Sequence, residues 1–356
     1  MTEREISDFL KEQYSIYPKM LLQDFFKGLF QSVYGCEHLV SDEKQGLLKL
    51  REEAEGNVPI RENYIEPLGD IYCRAHLWAV KSGKLSAKTL FNLFFLSASP
   101  PSTDAREELK KGLKVLTDLS EGELPGLSRD DIIGKARQWE EQGFKPLHHS
   151  EEFREAYRPA YRVIKRSFVK YLPILEKMDK LLKTKEKLTV AIEGGSATGK
   201  STLGEALAKL YEANLFHADD YFLQPYQRTE QRLNEAGGNM DRERFSGEIL
   251  AGISSGGDFN YRPFDCSKQI ISEPVFVRAN PINIIEGAYS MHPEMKGNYD
   301  LKVFLKVSEE TAKKRIEKRN SPEMQRRFFN EWIPMEQKYF KAFSIEENCD
   351  IVIINE

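Results

Sequence analysis

The segment with the clearest chemical signature begins at Gly194 and reads Gly-Gly-Ser-Ala-Thr-Gly-Lys-Ser. Its spacing, G-x-x-x-x-G-K-[ST], is typical of a loop whose backbone N–H groups bind phosphate oxygens. Glycine suits such a loop because a residue without a Cβ atom lets the backbone approach a phosphate closely. We predict that Lys200 neutralises the outer phosphates of a nucleotide and that the Ser201 hydroxyl is a ligand of Mg²⁺. The predicted nucleotide contacts are Gly194, Gly195, Ser196, Ala197, Thr198, Gly199, Lys200, Ser201 and Thr202.

Acidic residues follow this loop at two places where strands are predicted to end. Asp219 and Asp220 come directly after the segment 214–217. A carboxylate at the carboxyl end of a parallel strand can accept the proton of an attacking hydroxyl, and Asp219 is our first choice for that base, Asp220 the second. The alternative for both is a helix or turn cap. Glu286 ends the apolar run 282–285, and we predict that it lies near the metal; the alternative is a solvent-facing strand end.

A third group of residues is basic and lies along a helix predicted after the strand 301–307. Arg315 and Arg319 belong to this group, which a Ser-Pro break at 321–322 interrupts. A basic segment in this place can close over phosphates as a lid and stabilise the charge that develops during transfer. The alternative is a solvated helix face, the usual role of a charge run.

A sheet has to position these residues, and its pattern begins after the lysine-rich stretch 180–187. Short apolar, β-branched runs alternate there with helical patterns, which predicts an α/β fold with a parallel sheet sandwiched by helices. The predicted strands are 188–192, 214–217, 274–277, 282–285, 301–307 and 350–354. We assign residues 183–356 to this P-loop domain.

Residues 1–182 have a different pattern. Apolar residues recur at the period of a helix and no clean strand is visible, so we predict a separate all-α domain. Arg154, Arg158 and Arg162 are four residues apart and share one helix face if Pro159 is tolerated in the helix. We favour a surface helix paired with its own glutamates; the alternative is that this face, with His148 and His149 before it, binds a phosphate or carboxylate. The segment 35–38 (GCEH) is predicted as a helix end rather than as a metal site.

Composition narrows the classes of partner. Lys and Arg number 52 and Asp and Glu 56, a net charge of −4 over 356 residues, which argues against a nucleic-acid coat or a polybasic membrane binder. The apolar run 90–96 is too short to span a membrane, and the first residues lack a signal-peptide core. Four scattered cysteines indicate reduced thiols. We expect a cytoplasmic protein; assembly into a homo-oligomer stays open.

Several segments carry a family resemblance. They are 193–202 (EGGSATGKST), 219–222 (DDYF), 241–245 (DRERF), 261–265 (YRPFD), 284–287 (IIEG) and 299–305 (YDLKVFL). In this order they resemble the uridine kinase and phosphoribulokinase group of P-loop kinases, and the resemblance covers about residues 187–356. It implies ATP and Mg²⁺ as cofactors and phosphoryl transfer to an alcohol of a small molecule.

The resemblance also assigns roles to residues. Asp219 resembles the family's general base, Glu286 its second acidic residue near Mg²⁺, and Arg315 and Arg319 its lid arginines. The implied substrate contacts are Asp220, Tyr221, Arg244, Tyr261 and Phe264. Phe264 stands where uridine kinases usually carry a tyrosine, and the histidine expected a few residues later is absent.

A uridine kinase-like activity on a nucleoside is the function that these residues favour. The departure at Phe264 leaves other acceptors open, namely pantothenate, glycerate or a sugar phosphate. A nucleotide-gated ATPase or switch that acts through the helical domain is a second class. A binding module with a degenerate kinase half is a third, which the complete loop with Lys200 and Ser201 argues against.

Overall fold

The computed structural model describes residues 1–36, 42–98, 100, 102–120, 122–124 and 126–356. Its contacts divide the chain into two compact units, Met1–Leu172 and Pro173–Glu356. The helices of the first unit are α1 (Glu3–Ile16), α2 (Leu22–Tyr34), α3 (Glu43–Glu55), α4 (Trp78–Lys81), α5 (Ala87–Ser97), α6 (Ala105–Leu119), α7 (Arg129–Glu141) and α8 (Glu151–Tyr157). Its strands are β1 (Ile65–Leu68), β2 (Tyr72–His76) and β3 (Tyr161–Lys165), and a 3₁₀ turn covers Arg166–Tyr171.

The first unit is mainly helical, but the three strands correct the prediction that it is all-α. They form an antiparallel sheet in the order β1-β2-β3. Every residue of β2 is buried, so this strand lacks the alternation of apolar and polar residues that marks a half-buried strand. Arg74 within it is 1% exposed and ion-pairs with Glu66 at 2.6 Å. Because Arg74 is charged and lies in the middle of β2, the sequence of this strand does not look like a buried strand and did not predict one.

The predicted arginine face of a single helix is wrong. Helix α8 ends at Tyr157, and Arg158 has a left-handed backbone with φ 43°. Pro159 follows, and a proline disfavours helical backbone in the residue before it. Arg162 therefore lies in β3 and not on the helix of Arg154.

His149, which was grouped with these arginines, is a buried structural residue. Its ring nitrogens lie 2.8 Å from Asp24 Oδ1 and 2.7 Å from Tyr161 Oη. The predicted helix end before Cys36 is confirmed, since α2 stops at Gly35 with φ 63°. Glu37 and His38 lie outside the described residues.

The second unit begins ten residues before the boundary predicted at 182/183. Helix α9 (Leu172–Leu182) belongs to it, because Tyr211 Oη donates to Leu175 O and to Asp179 Oδ1. The other helices are α10 (Lys200–Tyr211), α11 (Glu230–Leu233), α12 (Arg242–Phe245), α13 (Ala251–Ser255), α14 (Glu309–Arg319), α15 (Pro322–Arg327) and α16 (Ile333–Phe343). The strands are β4 (Leu188–Gly194), β5 (Asn214–His217), β6 (Phe259–Tyr261), β7 (Phe264–Asp265), β8 (Ile270–Ile271), β9 (Val275–Val277), β10 (Ile282–Glu286), β11 (Leu301–Lys306) and β12 (Ile351–Ile354).

Five of these strands form a parallel sheet in the order β12-β11-β4-β10-β5, flanked by helices. This confirms the predicted α/β fold class and five of its strands. The predicted strand 274–277 exists as β9, but it pairs antiparallel with β6 outside the parallel sheet. The apolar residues of β4 are buried, as are Ile284 and Ile285 of β10, which explains why polar residues are scarce in these strands. In the described part of the chain, no helix is both long and apolar enough to cross a membrane.

Candidate functional site

The predicted phosphate loop joins the central strand β4 to helix α10, as its pattern requires. The backbone has positive φ at Gly194 (146°), Ala197 (62°) and Gly199 (92°). A Cβ atom on Gly194 would lie 2.2 Å from the carbonyl oxygen of Leu305 on β11. Glycine is needed there because backbone of the neighbouring strand leaves no room for a side chain. The loop therefore delivers the N-terminus of α10, where N–H groups and the helix dipole favour anions.

Side chains hold the main-chain carbonyls of the loop. Asn355 Nδ2 donates to Thr198 O at 2.6 Å, and Arg315 Nη1 donates to Ala197 O at 3.2 Å. Arg315 Nη2 also donates to Asn355 O at 2.9 Å. Arg315, predicted as a lid residue, is thus bound to the backbone of the loop, and in this structure it supports the loop's shape.

A cavity of about 270 Å³ opens beside the loop. It is lined by Ser196, Ala197, Gly199, Lys200, Ser201, Thr202, Asp219, Phe222, Asn239, Ala288, Tyr289, Arg319, Phe328, Trp332 and Glu336. The structure therefore brings together six of the predicted nucleotide contacts, the predicted base and one predicted lid arginine. Aromatic walls from Phe222, Phe328 and Trp332 offer apolar surface to a ligand.

Asp219 lies in a short 3₁₀ turn, Ala218–Tyr221, which follows β5. Its side chain remains in contact with solvent inside the cavity, yet the surrounding protein makes its charge costly and raises its pKa to about 6. Nearby carboxylates raise this pKa further, whereas Lys200 lowers it. A carboxylate with a pKa of about 6 is ionised at neutral pH and is a stronger base than an ordinary aspartate.

Asp220, the second choice for the base, has a pKa that burial also raises, while the charge of His217 lowers it. Its backbone carbonyl is 3.4 Å from Nη2 of Arg244. In the described part of the chain, the cavity lining includes Asp219 and not Asp220. The position of Asp219 therefore favours it over Asp220 as the base.

Glu286 ends β10 directly beside His217, with which it is in parallel register. It is 2% exposed, and its Oε1 lies 2.5 Å from His217 Nδ1. This hydrogen bond is the main reason why the pKa of His217 is raised. A Cβ atom added to Gly204 of α10 would lie 3.2 Å from Glu286 Cγ. The Glu286 side chain therefore packs closely against α10, the helix that follows the phosphate loop.

The two predicted magnesium ligands are not placed alike: Ser201 lines the cavity, whereas Glu286 is buried and is not part of the cavity lining. Mg²⁺ prefers hydroxyl and carboxylate oxygens and usually binds through one or two carboxylates together with phosphates of the substrate. The predicted ligands Ser201 and Glu286 are of this type. Three carboxylates raise the pKa of Asp219 and one lysine lowers it, so negative charge is in excess where a cation would bind. Among the described residues, no group of three or more His, Cys, Asp or Glu side chains could hold a metal ion by itself.

Tyr221 does not fit the substrate role predicted for it. Its side chain is fully buried, and its Oη donates to Glu248 Oε2 at 2.9 Å. The guanidinium of Arg244 lies 4.3 Å from the centre of the Tyr221 ring. Tyr221 is therefore a core residue that supports Arg244, because its apolar ring packs inward from the short turn after β5.

The other predicted substrate contacts lie in and beside the small hairpins after α13. Tyr261 on β6 is half-buried, and the charge of Asp220 raises its pKa after the larger effect of burial. Phe264 on β7 is 4% exposed and pairs with Ile271 of β8. Arg244 ion-pairs with Asp241 at 3.5 Å and Glu248 at 3.6 Å. Tyr261 and Arg244 both approach Asp220; Phe264 is buried.

Glu193, Tyr289 and Glu336 are among the residues at or beside the site to which the sequence analysis assigned no role. Glu193 is fully buried, and its Oε2 accepts from Ser290 Oγ, Met291 N and Tyr339 Oη at 3.1–3.3 Å. Tyr289 lines the cavity with a backbone φ of 72°. Glu336 on α16 contacts Ser196 of the loop. Glu193 could have been suspected because it precedes the loop directly, but nothing local marks the other two.

Comparisons with known proteins found matches among solved structures. No family model and no curated protein matches the chain. Among solved structures, a possible uridine kinase from Bacillus stearothermophilus is 19% identical, with a TM-score of 0.39, and the match covers 51% of this chain and 99% of that one. Shikimate kinase from Bacteroides thetaiotaomicron is 17% identical, with a TM-score of 0.29 and coverage of 47% and 86%.

Proposed function

We propose that this protein transfers the γ-phosphate of ATP to a hydroxyl group of a small molecule. One observation carries the proposal: Asp219 lines the same cavity as Lys200 and Ser201 of the phosphate loop. A base and a phosphate site that share one cavity can place an acceptor hydroxyl in line with the phosphate it attacks. A loop used only for binding or for a switch has no need of such a base.

Each residue then has a defined task. The loop amides and Lys200 hold the phosphates, and Arg319 adds positive charge from the cavity wall, where charge develops during transfer. Asp219 accepts the proton of the acceptor hydroxyl as the new O–P bond forms. Ser201 and Glu286 would hold Mg²⁺, which supplies charge neutralisation at the phosphates when it is bound. Arg315 keeps the loop in shape through Ala197.

A nucleoside is the acceptor that we propose first, with pantothenate, glycerate and sugar phosphates as alternatives. The aromatic side chains Phe222, Phe328 and Trp332 in the cavity wall favour a ligand with a flat ring. Phe264 is buried and carries no hydroxyl, so hydrogen bonding at that position cannot select uracil. The near-neutral charge favours a small-molecule partner over nucleic acid.

The test is ADP release from ATP·Mg²⁺ with a panel of nucleosides, pantothenate, glycerate and sugar phosphates. We expect release that depends on one acceptor class and falls at least about 100-fold in Asp219→Asn. The rate of the wild type should fall as the pH drops below about 6, where Asp219 takes up a proton. Asp220→Asn serves as the matched control and should retain more activity. Slow release that is equal for every acceptor and unchanged in Asp219→Asn would favour the ATPase or switch instead.

A further inference from the structure

Glu336 is a buried carboxylate that binds the phosphate loop itself. Its Oε2 accepts a hydrogen bond from the backbone N–H of Ser196 at 2.8 Å, and its Oε1 accepts one from Ser196 Oγ at 2.7 Å. The residue is 7% exposed and lines the same cavity as Lys200. A negatively charged group of the chain itself therefore bonds one N–H group of a loop whose pattern is made to bind phosphate.

A phosphate and this carboxylate compete for the same groups. Two anions that approach one N–H group repel each other, and this repulsion is strong where little water screens it. Burial raises the pKa of Glu336, and Lys200 is the charged group that opposes this rise. The same ammonium is the partner expected for the outer phosphates of a nucleotide. The loop therefore cannot give its full set of contacts to both anions at once.

We propose that Glu336 is a displaceable carboxylate, which holds the loop through Ser196 until a polyphosphate binds and takes its place. This inference rests on the proposed function, because it takes the loop to be a nucleotide site. Glu336 lies on α16, which continues directly from the π-helical turn Phe328–Trp332. Since Phe328 and Trp332 form walls of the cavity, release of Glu336 couples binding of the nucleotide to a shift of the wall around the acceptor.

Tyr289 offers the displaced carboxylate a hydrogen-bond donor. Among the described residues no group accepts a hydrogen bond from its buried Oη, although the side chain of Asn239 acts as a donor toward the same oxygen and lowers its pKa. Of the charged groups around it, Glu336 acts on the phenol most strongly. A carboxylate that leaves Ser196 would therefore satisfy a donor that is otherwise unpaired, and such a second position makes two discrete arrangements of the loop possible.

The test is the affinity for ATP·Mg²⁺, measured by isothermal titration calorimetry on Glu336→Gln, Glu336→Ala and a control variant. Glutamine keeps the shape of the side chain but removes the charge that repels phosphate. We expect both Glu336 variants to bind ATP·Mg²⁺ about tenfold more tightly than the wild type. The matched control is Glu331→Gln, which removes the same charge five residues earlier from an exposed side chain beside Arg327 and should change nothing.

The outcomes separate this inference from the function on which it rests. Weaker or unchanged binding in Glu336→Gln, when the wild type binds ATP·Mg²⁺, overturns the inference and makes Glu336 a permanent support of the loop. No binding by the wild type or by any variant overturns the proposed function and the inference together. Glu336→Gln, which is nearly isosteric, decides the test if Glu336→Ala does not fold.

A double-mutant cycle tests the part played by Tyr289. Tyr289→Phe removes the proposed second partner of the carboxylate, so we expect it to weaken binding of ATP·Mg²⁺ about threefold in the wild type. In the Glu336→Ala background the same change should have no effect, because this variant has no carboxylate that could accept a hydrogen bond from Tyr289. Equal effects in both backgrounds would overturn the role of Tyr289.

Discussion

Glu286 and His217 end neighbouring parallel strands in register, and a hydrogen bond of 2.5 Å joins their side chains. Glu286 is buried, whereas 38% of the His217 side chain is exposed. The histidine thus lies between solvent and a carboxylate that we expect near the metal. This arrangement fixes the direction of Glu286 and links the charge of His217 to the site.

His217→Gln tests this link through the dependence of stability on pH. The hydrogen bond raises the pKa of His217 in the folded protein above its value in the unfolded chain. Its stabilisation is therefore complete below about pH 6.5 and is lost as the pH rises through the raised pKa. Urea unfolding should show the variant about 0.5 kcal/mol less stable at pH 5.5, and equal to the wild type at high pH. His148→Gln is the exposed control, and a difference independent of pH would contradict the prediction.

Asp219→Asn should make the protein more stable. The pKa of Asp219 is about 6 in the fold and near 4 in the unfolded chain, so ionisation favours unfolding as the pH rises from 4 to 6. Contact of Asp219 with solvent reduces the cost of its charge, so we expect the free energy of unfolding of the variant to be about 1 kcal/mol higher than that of the wild type above pH 6. Thermal unfolding at pH 4 and pH 8 measures it. A variant that is less stable than the wild type at pH 8 would show that the carboxylate is a structural support.

Gly194→Ala should damage the fold, and Gly195→Ala should not. A Cβ atom at Gly194 would collide with Leu305 O, and the φ of 146° disfavours any side chain. At Gly195 the nearest atom would be 3.6 Å away, an ordinary contact. We expect a loss of about 3 kcal/mol for the first variant and less than about 1 kcal/mol for the second. Urea unfolding checks both, and equal losses would contradict the steric argument.

Glu193→Gln should destabilise the site region. Burial raises the pKa of Glu193 to about 8, so its side chain is protonated at pH 7. Its Oε2 accepts from Met291 N and Tyr339 Oη, and an amide NH₂ group in place of that oxygen would face these donors without an acceptor. We expect a loss of about 2 kcal/mol in unfolding free energy. Hydrogen exchange at Met291 N should become faster. Unchanged protection of that amide would contradict the assignment; Glu331→Gln again serves as the exposed control.

The sequence predicted those parts of the site that lie close together in the chain or end a strand. The loop has a local pattern, and Asp219 and Glu286 follow apolar strands whose carboxyl ends must meet in a parallel sheet. Glu336 could not be predicted in the same way. It reaches Ser196 from 140 residues away, and its helix has no spacing that singles it out.

The first unit contains features that its sequence did not predict correctly. Strand β2 carries a buried arginine, whose guanidinium ion-pairs with Glu66 on another strand and also donates to Gln13 Oε1 on α1. The arginine spacing at 154–162 predicted a helix because periodicity does not register the left-handed residue before Pro159. Sequence patterns therefore predict features that neighbouring residues determine. They do not predict features that depend on a partner far away in the chain.

The pairing of β2 with β3 has a consequence for synthesis on the ribosome. Residues 72–76 of β2 can pair with β3 only after residues 161–165 have been synthesised. Asp24 likewise gains its hydrogen-bond partner His149 only late in synthesis. At 5–20 residues per second, the nascent chain carries the buried Arg74 without its complete surroundings for roughly 5–20 s. The second unit repeats this order, since Asn355 supports a loop made 157 residues earlier. Both units therefore depend on contacts that can form only late in synthesis.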